Sequence, residues 1–211
     1  MFCTSNPLLV FTFVFSAALG AIGCRDKPDA RQDRTVAAPT KVINKDSTLK
    51  ALNSAVLQHL KNKDYTQLRT LIHPKEGVLV SPYGFVDTSD YVAIFADDIV
   101  AKSQKSDSFY WGAYDGSGDS ISLSFADYFA KFVYNADFLN AEKMSVNKMI
   151  GSGNSLNNLQ TVYPGCDFTE NYFSGFDKKY EGMDWCTLRL VFKMYNDRYY
   201  LVALVHDQWT I

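Results

Sequence analysis

The closing stretch, residues 187–211 (TLRLVFKMYNDRYYLVALVHDQWTI), leaves this chain few folds to choose from. Leu188, Leu190, Phe192 and Met194 alternate with Arg189, Val191, Lys193 and Tyr195, the period of a strand with one buried face. Asn196-Asp197 supplies a turn, and a β-branched and aromatic run returns, so the stretch predicts a β-hairpin. The returning strand is apolar on both faces from Leu201 to Val205, which places it inside a sheet that the rest of the domain must cover.

His206 and Asp207 lie on opposite faces of that strand because side chains alternate. Two-residue hairpin loops are the commonest. With Asn196-Asp197 alone as the loop, Met194 faces Tyr199, Phe192 faces Leu201, Leu190 faces Ala203 and Leu188 faces Val205. Asp207, Trp209 and Ile211 then join the apolar face, Asp207 near Cys186. A loop of odd length shifts the pairing by one and brings His206 there instead. Either residue, half-buried beside Trp209 and Asp184, is a candidate general base or ligand holder with a perturbed pKa. The competing reading is that the inward group ties down a neighbouring loop, since a buried polar residue needs some partner whatever its role.

The chain has 211 residues, 47% of them hydrophobic and 15% aromatic, and a formal charge of -2. These values fit one globular domain plus an appendage. No Lys/Arg run offers a stripe for tracking phosphates, which argues against nucleic acid. Residues 7–22 form an apolar run of signal-peptide length, ending Leu19-Gly20-Ala21-Ile22-Gly23-Cys24. Small residues before a cysteine resemble the bacterial lipobox, which implies a cleaved signal over residues 1–23 and a lipid on Cys24. An ordinary cleaved signal and an uncleaved anchor are the alternatives. Residues 25–46 are charged, hold two prolines and show no apolar period, so they read as a tether. Such a tether spans roughly 25 Å. The expected location is the bacterial cell envelope, exported and held to the membrane by the lipid. Cleavage and lipidation would leave Cys166 and Cys186, an even pair in an oxidising compartment, to form a disulfide or remain two buried thiols.

Along the domain, residues 47–211, Leu49, Leu52, Val56 and Leu60 predict a helix capped by Asp46, Ser47 or Thr48. Asp64 caps a second, short helix that stops at His73-Pro74. Residues 77–86 predict two strands around a Ser81-Pro82-Tyr83-Gly84 turn, and residues 91–101 a helix. Residues 109–114 predict an aromatic strand, and Ser122 or Ser124 starts a helix with Phe125, Tyr128, Phe129, Phe132 and Val133 on its apolar side. A weak strand over 142–150, a loop over 151–164 and a strand over 168–173 complete the prediction. Helices first and strands last, without βαβ alternation, predict an α+β domain with a mostly antiparallel sheet.

The opening pattern with Lys63-Asp64-Tyr65 and Leu71-Ile72-His73-Pro74, and the closing Tyr199-Tyr200-Leu201-Val202-Ala203-Leu204 strand, resemble the NTF2-like fold, a cone of helices on a curved sheet. The strings WGAYDGSG, FVYNADFLNAEK, GMDW and LVHDQWTI are similar to those of uncharacterised bacterial exported or lipid-anchored proteins. The first resemblance implies a pocket in the cone, which members use for catalysis, binding or dimerisation; the fold alone does not choose.

Asp115-Gly116-Ser117-Gly118-Asp119 alternates oxygen side chains but lacks the glycine and the bidentate glutamate of a calcium loop, so it reads as a polar turn. His59, His73 and His206 have no zinc spacing, and no nucleophile elbow, phosphate loop or dinucleotide fingerprint implies a cofactor. Trp111, Tyr114 and Trp209 are the candidate ligand-binding residues. The function expected is binding of a small molecule or a protein, without catalysis. An Asp/His hydrolase or lyase is one alternative. A homodimer, closed through an outer sheet face carrying Val191, Val202 and Leu204, is the other.

Overall fold

Helix α1 (Lys45–Lys61) opens the structure, a computed structural model that describes residues 44–151, 153 and 156–210. The expected signal segment, Cys24 and the tether up to residue 43 lie outside the described residues. The helix begins earlier than its apolar stripe predicts, because Asn44 stands extended ahead of it and accepts the Asp46 N–H with its side chain. Asp64 caps α2 (Tyr65–Leu68) by accepting the Gln67 N–H at 3.0 Å, and the chain tightens into a 3-10 turn at Arg69–Leu71 before His73-Pro74.

The region that follows departs from expectation. β1 (Val78–Ser81) is wholly buried, but residues 84–86 are not its partner. At Pro82 the chain loses an N–H for the ladder and leaves the sheet. It returns as β2 (Val92–Ile94), antiparallel to β1, inside the segment predicted to be helical. The β-branched Val92 and Ile94 favour the strand, and helix α3 (Ala96–Ser103) starts only after the extended Phe95. β3 (Ser108–Ala113) and β4 (Ser120–Ser124) form a separate two-stranded ribbon. β4 replaces an expected helix start, since Ile121 and Leu123 point inward between exposed serines. Ser124 then caps α4 (Phe125–Tyr128), accepting the Asp127 N–H, and a π turn at Phe129–Val133 continues it. Phe125, Tyr128, Phe129, Phe132 and Val133 are all buried, as their spacing predicts.

β5 (Lys143–Val146), the single turn α5 (Leu159–Val162), β6 (Asp167–Phe173), β7 (Cys186–Tyr195) and β8 (Arg198–Gln208) complete the chain. The six-stranded sheet runs β2-β1-β8-β7-β6-β5, antiparallel except where β1 lies parallel beside β8. β8 is therefore an interior strand, as its two apolar faces require. Asn196 and Asp197 make the two-residue turn with φ of 48° and 59°, the left-handed geometry that suits a twisted hairpin.

Met194 faces Tyr199 and Phe192 faces Leu201, but Val191 then faces Ala203, leaving Val202 opposite no residue. This bulge reverses the faces beyond it. Leu190 pairs with Leu204, Leu188 with His206 and Thr187 with Asp207. The loop length is the expected one, yet His206 rather than Asp207 shares the face of Leu188 and Leu190. Leu204 moves to that helix-covered face as well.

The main core packs Leu49, Val56 and Leu57 of α1 with Phe125, Phe132, Leu188, Leu190 and Leu204. A second cluster on the opposite face joins Leu79, Val86, Leu159, Phe168, Val191, Val202 and Val205. Val191 and Val202 are thus covered by the chain itself, at 1% and 3% exposure, and do not offer a copy of the protein the open face expected of them.

One polar knot fastens α1 to the sheet. Asn53 Oδ1 accepts from Thr169 Oγ1 at 2.7 Å and from Asn171 Nδ2 at 2.9 Å, and Asn53 Nδ2 donates to Asn171 Oδ1 at 3.0 Å. All three side chains are buried. Asn53→Ala strands two polar groups in the core and is expected to lower stability by about 2 kcal/mol. Urea unfolding should show a lower midpoint at an unchanged slope.

Candidate functional site

A cavity of about 250 Å³ opens between residues 82–91, the excursion from β1 to β2, and the end of β3. Trp111 and Tyr114 line it together with Tyr83, Tyr91, Asp87 and Asp115. Trp209, 41% exposed beyond the end of β8, is not among its lining residues. Trp111 is held from two sides: its Nε1 donates to the Leu123 carbonyl at 2.9 Å, and its ring stacks on Tyr128 with centroids 4.2 Å apart. The excursion is held by Asn158, whose Oδ1 accepts the Val86 N–H and whose Nδ2 donates to the Val86 carbonyl, at 2.8 and 2.9 Å. Asp87 folds the tip by accepting both the hydroxyl and the N–H of Ser89, which hold its carboxyl below the usual range. Asp90 accepts the Tyr110 hydroxyl.

Behind this wall lie two buried polar groups. The Tyr128 hydroxyl has no partner among the described residues, and burial pushes its pKa well above the ordinary phenol value. His206 Nδ1 lies 3.0 Å from the Pro82 carbonyl, which can only accept, so this nitrogen carries the proton. Nε2 is left buried without a partner among the described residues. Burial pulls the imidazole pKa from 6.5 to about 4, and the ring is neutral at neutral pH.

The other two candidate acid–base groups stand elsewhere. Asp207 lies on the opposite face of β8 and accepts from Arg189 Nη1 at 3.0 Å. Arg189, with no exposed surface, also donates through Nε to Glu170 Oε1 at 3.1 Å and through Nη2 to the Gly151 carbonyl at 3.0 Å. Glu170 in turn accepts from the Ile150 N–H, the Gly151 N–H and the Thr187 hydroxyl. Gly84 passes so close that a Cβ there would sit 2.5 Å from Asp207 Oδ2. Asp184 Oδ2 accepts the Phe176 and Asp177 N–H groups at 2.8 and 2.7 Å, closing the loop between β6 and β7. Its burial works against the charge, but those amides bring its pKa below the usual value.

Of the two alternatives for Cys166 and Cys186, the structure has two free thiols. Phe173 pairs with Cys186 while Asp167 pairs with Phe192, so the cysteines sit at opposite ends of adjacent strands, roughly 20 Å apart along them. Burial pushes the Cys186 thiol up to about 12 and raises that of Cys166, which keeps both protonated. The 115–119 segment is a turn closed by the Gly118 N–H on the Tyr114 carbonyl. Among the described residues no cluster of His, Cys, Asp and Glu could hold a metal ion.

Tyr83, Tyr91, Asp87 and Asp90 carry no sequence signal of a site, because they enter the cavity through the excursion, where the pattern predicts a turn and a helix start. At Arg189 the alternating strand predicts a solvent-facing residue, and the structure buries it.

The architecture is α+β, with helices packed on a curved, mostly antiparallel sheet. No family model and no curated protein matches the chain. Among solved structures, a variant named Rd1NTF2_05 is similar over 77% of this chain and 99% of its own, at 12% identity and a TM-score of 0.31. An NTF2-like protein of unknown function from Shewanella oneidensis is similar over 77% of this chain and 98% of its own, at 6% identity and a TM-score of 0.35.

Arg189→Met leaves two buried carboxylates without their cation and is expected to cost about 3–5 kcal/mol, read as a large fall in the urea midpoint. His206 imposes a pH dependence of opposite origin. Its folded pKa of about 4 lies below the unfolded 6.5, so the unfolded chain takes up the proton first. The contribution is complete above pH 6.5 and is lost as pH falls towards 4, at most about 3 kcal/mol. Unfolding measured from pH 7 to 4.5 should show this slope in the parent protein and a flatter one in His206→Asn.

Proposed function

We propose that the protein is a bacterial envelope lipoprotein, tethered through Cys24, whose NTF2-like domain binds a small molecule in the cavity beside Tyr83, Trp111 and Tyr114 without transforming it. One observation carries the reading: two ligand-binding candidates distant from the excursion in sequence meet it around a single aromatic-walled cavity. A concave site lined by rings with a few polar groups is the usual form of a ligand site. The acid–base candidates support it from the other side, because Asp207 and Asp184 are engaged by protein groups and do not line the cavity. The apolar run of residues 7–22 followed by Cys24 supports the anchor.

The test is a fragment screen against the full-length protein in detergent micelles, read by NMR shifts. Ligands should move the Trp111 indole and the Ala113 and Tyr114 amides, and Tyr114→Ala should weaken them several-fold. Hits that all map elsewhere, or turnover of a bound compound, would overturn the binding reading. Labelled fatty acid retained by the parent and lost in Cys24→Ser is the outcome expected for the anchor, and equal labelling of the two removes it.

A further inference from the structure

We infer that the ligand is a small organic cation carrying an alkylammonium head, with the aromatic rings facing its methyl or methylene groups and the carboxylates its charge. The inference rests on the binding reading above and names the chemistry of that same cavity. The lining residues include Asp87, Asp90 and Asp115 and no Lys, Arg or His. An anion entering would meet three carboxylates with no countercharge among the lining residues. A neutral guest would leave their field unanswered. Ser89 keeps Asp87 ionised, through a hydroxyl and an N–H that favour the charged form.

The walls point the same way independently of the acids. Tyr83, Tyr91, Trp111 and Tyr114 are electron-rich rings, and a cation over such a face is attracted by the ring quadrupole. Trp111 spends its N–H on the Leu123 carbonyl, so the indole offers a guest its π-surface rather than a donor. Of these four rings, Tyr114 already meets a cation. Lys131 Nζ lies 4.6 Å from the centroid of the Tyr114 ring and donates to the Tyr114 hydroxyl at 3.1 Å. The Tyr128 ring, stacked on Trp111 with its buried hydroxyl unpartnered among the described residues, backs the same wall. Size sets the upper limit. At about 250 Å³ the cavity is below the range of drug-sized ligand sites, which suits a single head group. A quaternary ammonium also needs no hydrogen-bond acceptor for each proton, so rings can replace its weak hydration.

The probe pair is choline and its neutral carbon isostere, 3,3-dimethylbutan-1-ol, titrated into full-length protein in micelles at fixed ionic strength and followed by calorimetry and by the Trp111 indole resonance. Choline is expected to bind about tenfold or more tightly than the isostere. Asp87→Asn and Asp115→Asn, both exposed positions, should each weaken choline about three- to tenfold and leave the isostere unchanged. Equal binding of the two probes, insensitivity of choline to both Asn variants, or no saturation by choline would each overturn the inference. Those outcomes are separable from failure of the binding reading. If neutral or anionic fragments still shift Trp111 and Tyr114, the site stands and only its cation preference falls. If nothing shifts them, both fall.

Discussion

Arg189 is a full positive charge sealed in the middle of the sheet, and the surrounding fold has to answer it. An uncompensated charge at that depth would cost several kcal/mol, so the chain brings Glu170 from β6, Asp207 from β8 and the Gly151 carbonyl to its guanidinium. Ion pairs of this kind are weak evidence for net stability, because desolvation offsets most of the attraction. Their effect here is positional. Gly84 passes directly over Asp207, where a Cβ would collide, and Gly151 packs tightly among Trp185, Tyr172 and Glu170, so the network draws the segments that follow β1 and β5 onto the sheet's outer face. With those segments in place, Val86 and Leu159 complete the second apolar cluster, and the excursion that walls the cavity is anchored at its start.

The bulge at Val202 makes this arrangement possible. Without the extra residue, Asp207 would share the face of Leu188 and Leu190 among the aromatic rings, and His206 would stand beside Arg189, a cation that disfavours its protonation. With it, the carboxylate meets the guanidinium and the imidazole meets Phe132 and the Pro82 carbonyl. A single inserted residue thus sorts the chemistry of the strand's end: charge to the outer face, neutral aromatic to the core.

How far this was legible in the sequence follows from the range of the interactions involved. The hairpin, its two-residue turn and the interior position of β8 rest on period-two patterning and local turn chemistry, and all are found. Phe125 to Val133 likewise buries the face its spacing indicates. The bulge carries no local mark, since Val202 fits a regular β-strand as well as a bulged one, so register beyond it was out of reach and with it the placement of Asp207. Arg189 did leave a clue. A strand next to one that is apolar on both faces is itself covered on both sides, which makes its arginine buried rather than solvent-facing. Parity makes Cys166 and Cys186 an even pair, but it is silent about which end of a strand each occupies. The cavity was half visible, through Trp111 and Tyr114. Two of its three carboxylates come from residues 87–90, whose approach depends on Asn158 gripping Val86 across 72 positions of sequence.

That division of labour bears on how such a domain can carry a ligand site at all. The sheet's centre is committed on both faces, to packed rings and α1 on one and to the charge network on the other, so neither can be reshaped without loss of the fold. The cavity instead lies at the sheet's margin, where β1 gives way to a segment buried at Gly84 and Val86, half-buried at Pro82 and Tyr83, and exposed from Asp87 to Tyr91. Side chains at 87, 90, 91 and 115 can therefore change without disturbing the core, while Trp111, clamped between Tyr128 and the Leu123 carbonyl, stays where it is. For the ligand site proposed above, a rigid ring backed by the core and a rim of exchangeable charges would separate affinity from selectivity: the first set by buried packing, the second by surface residues the fold does not need.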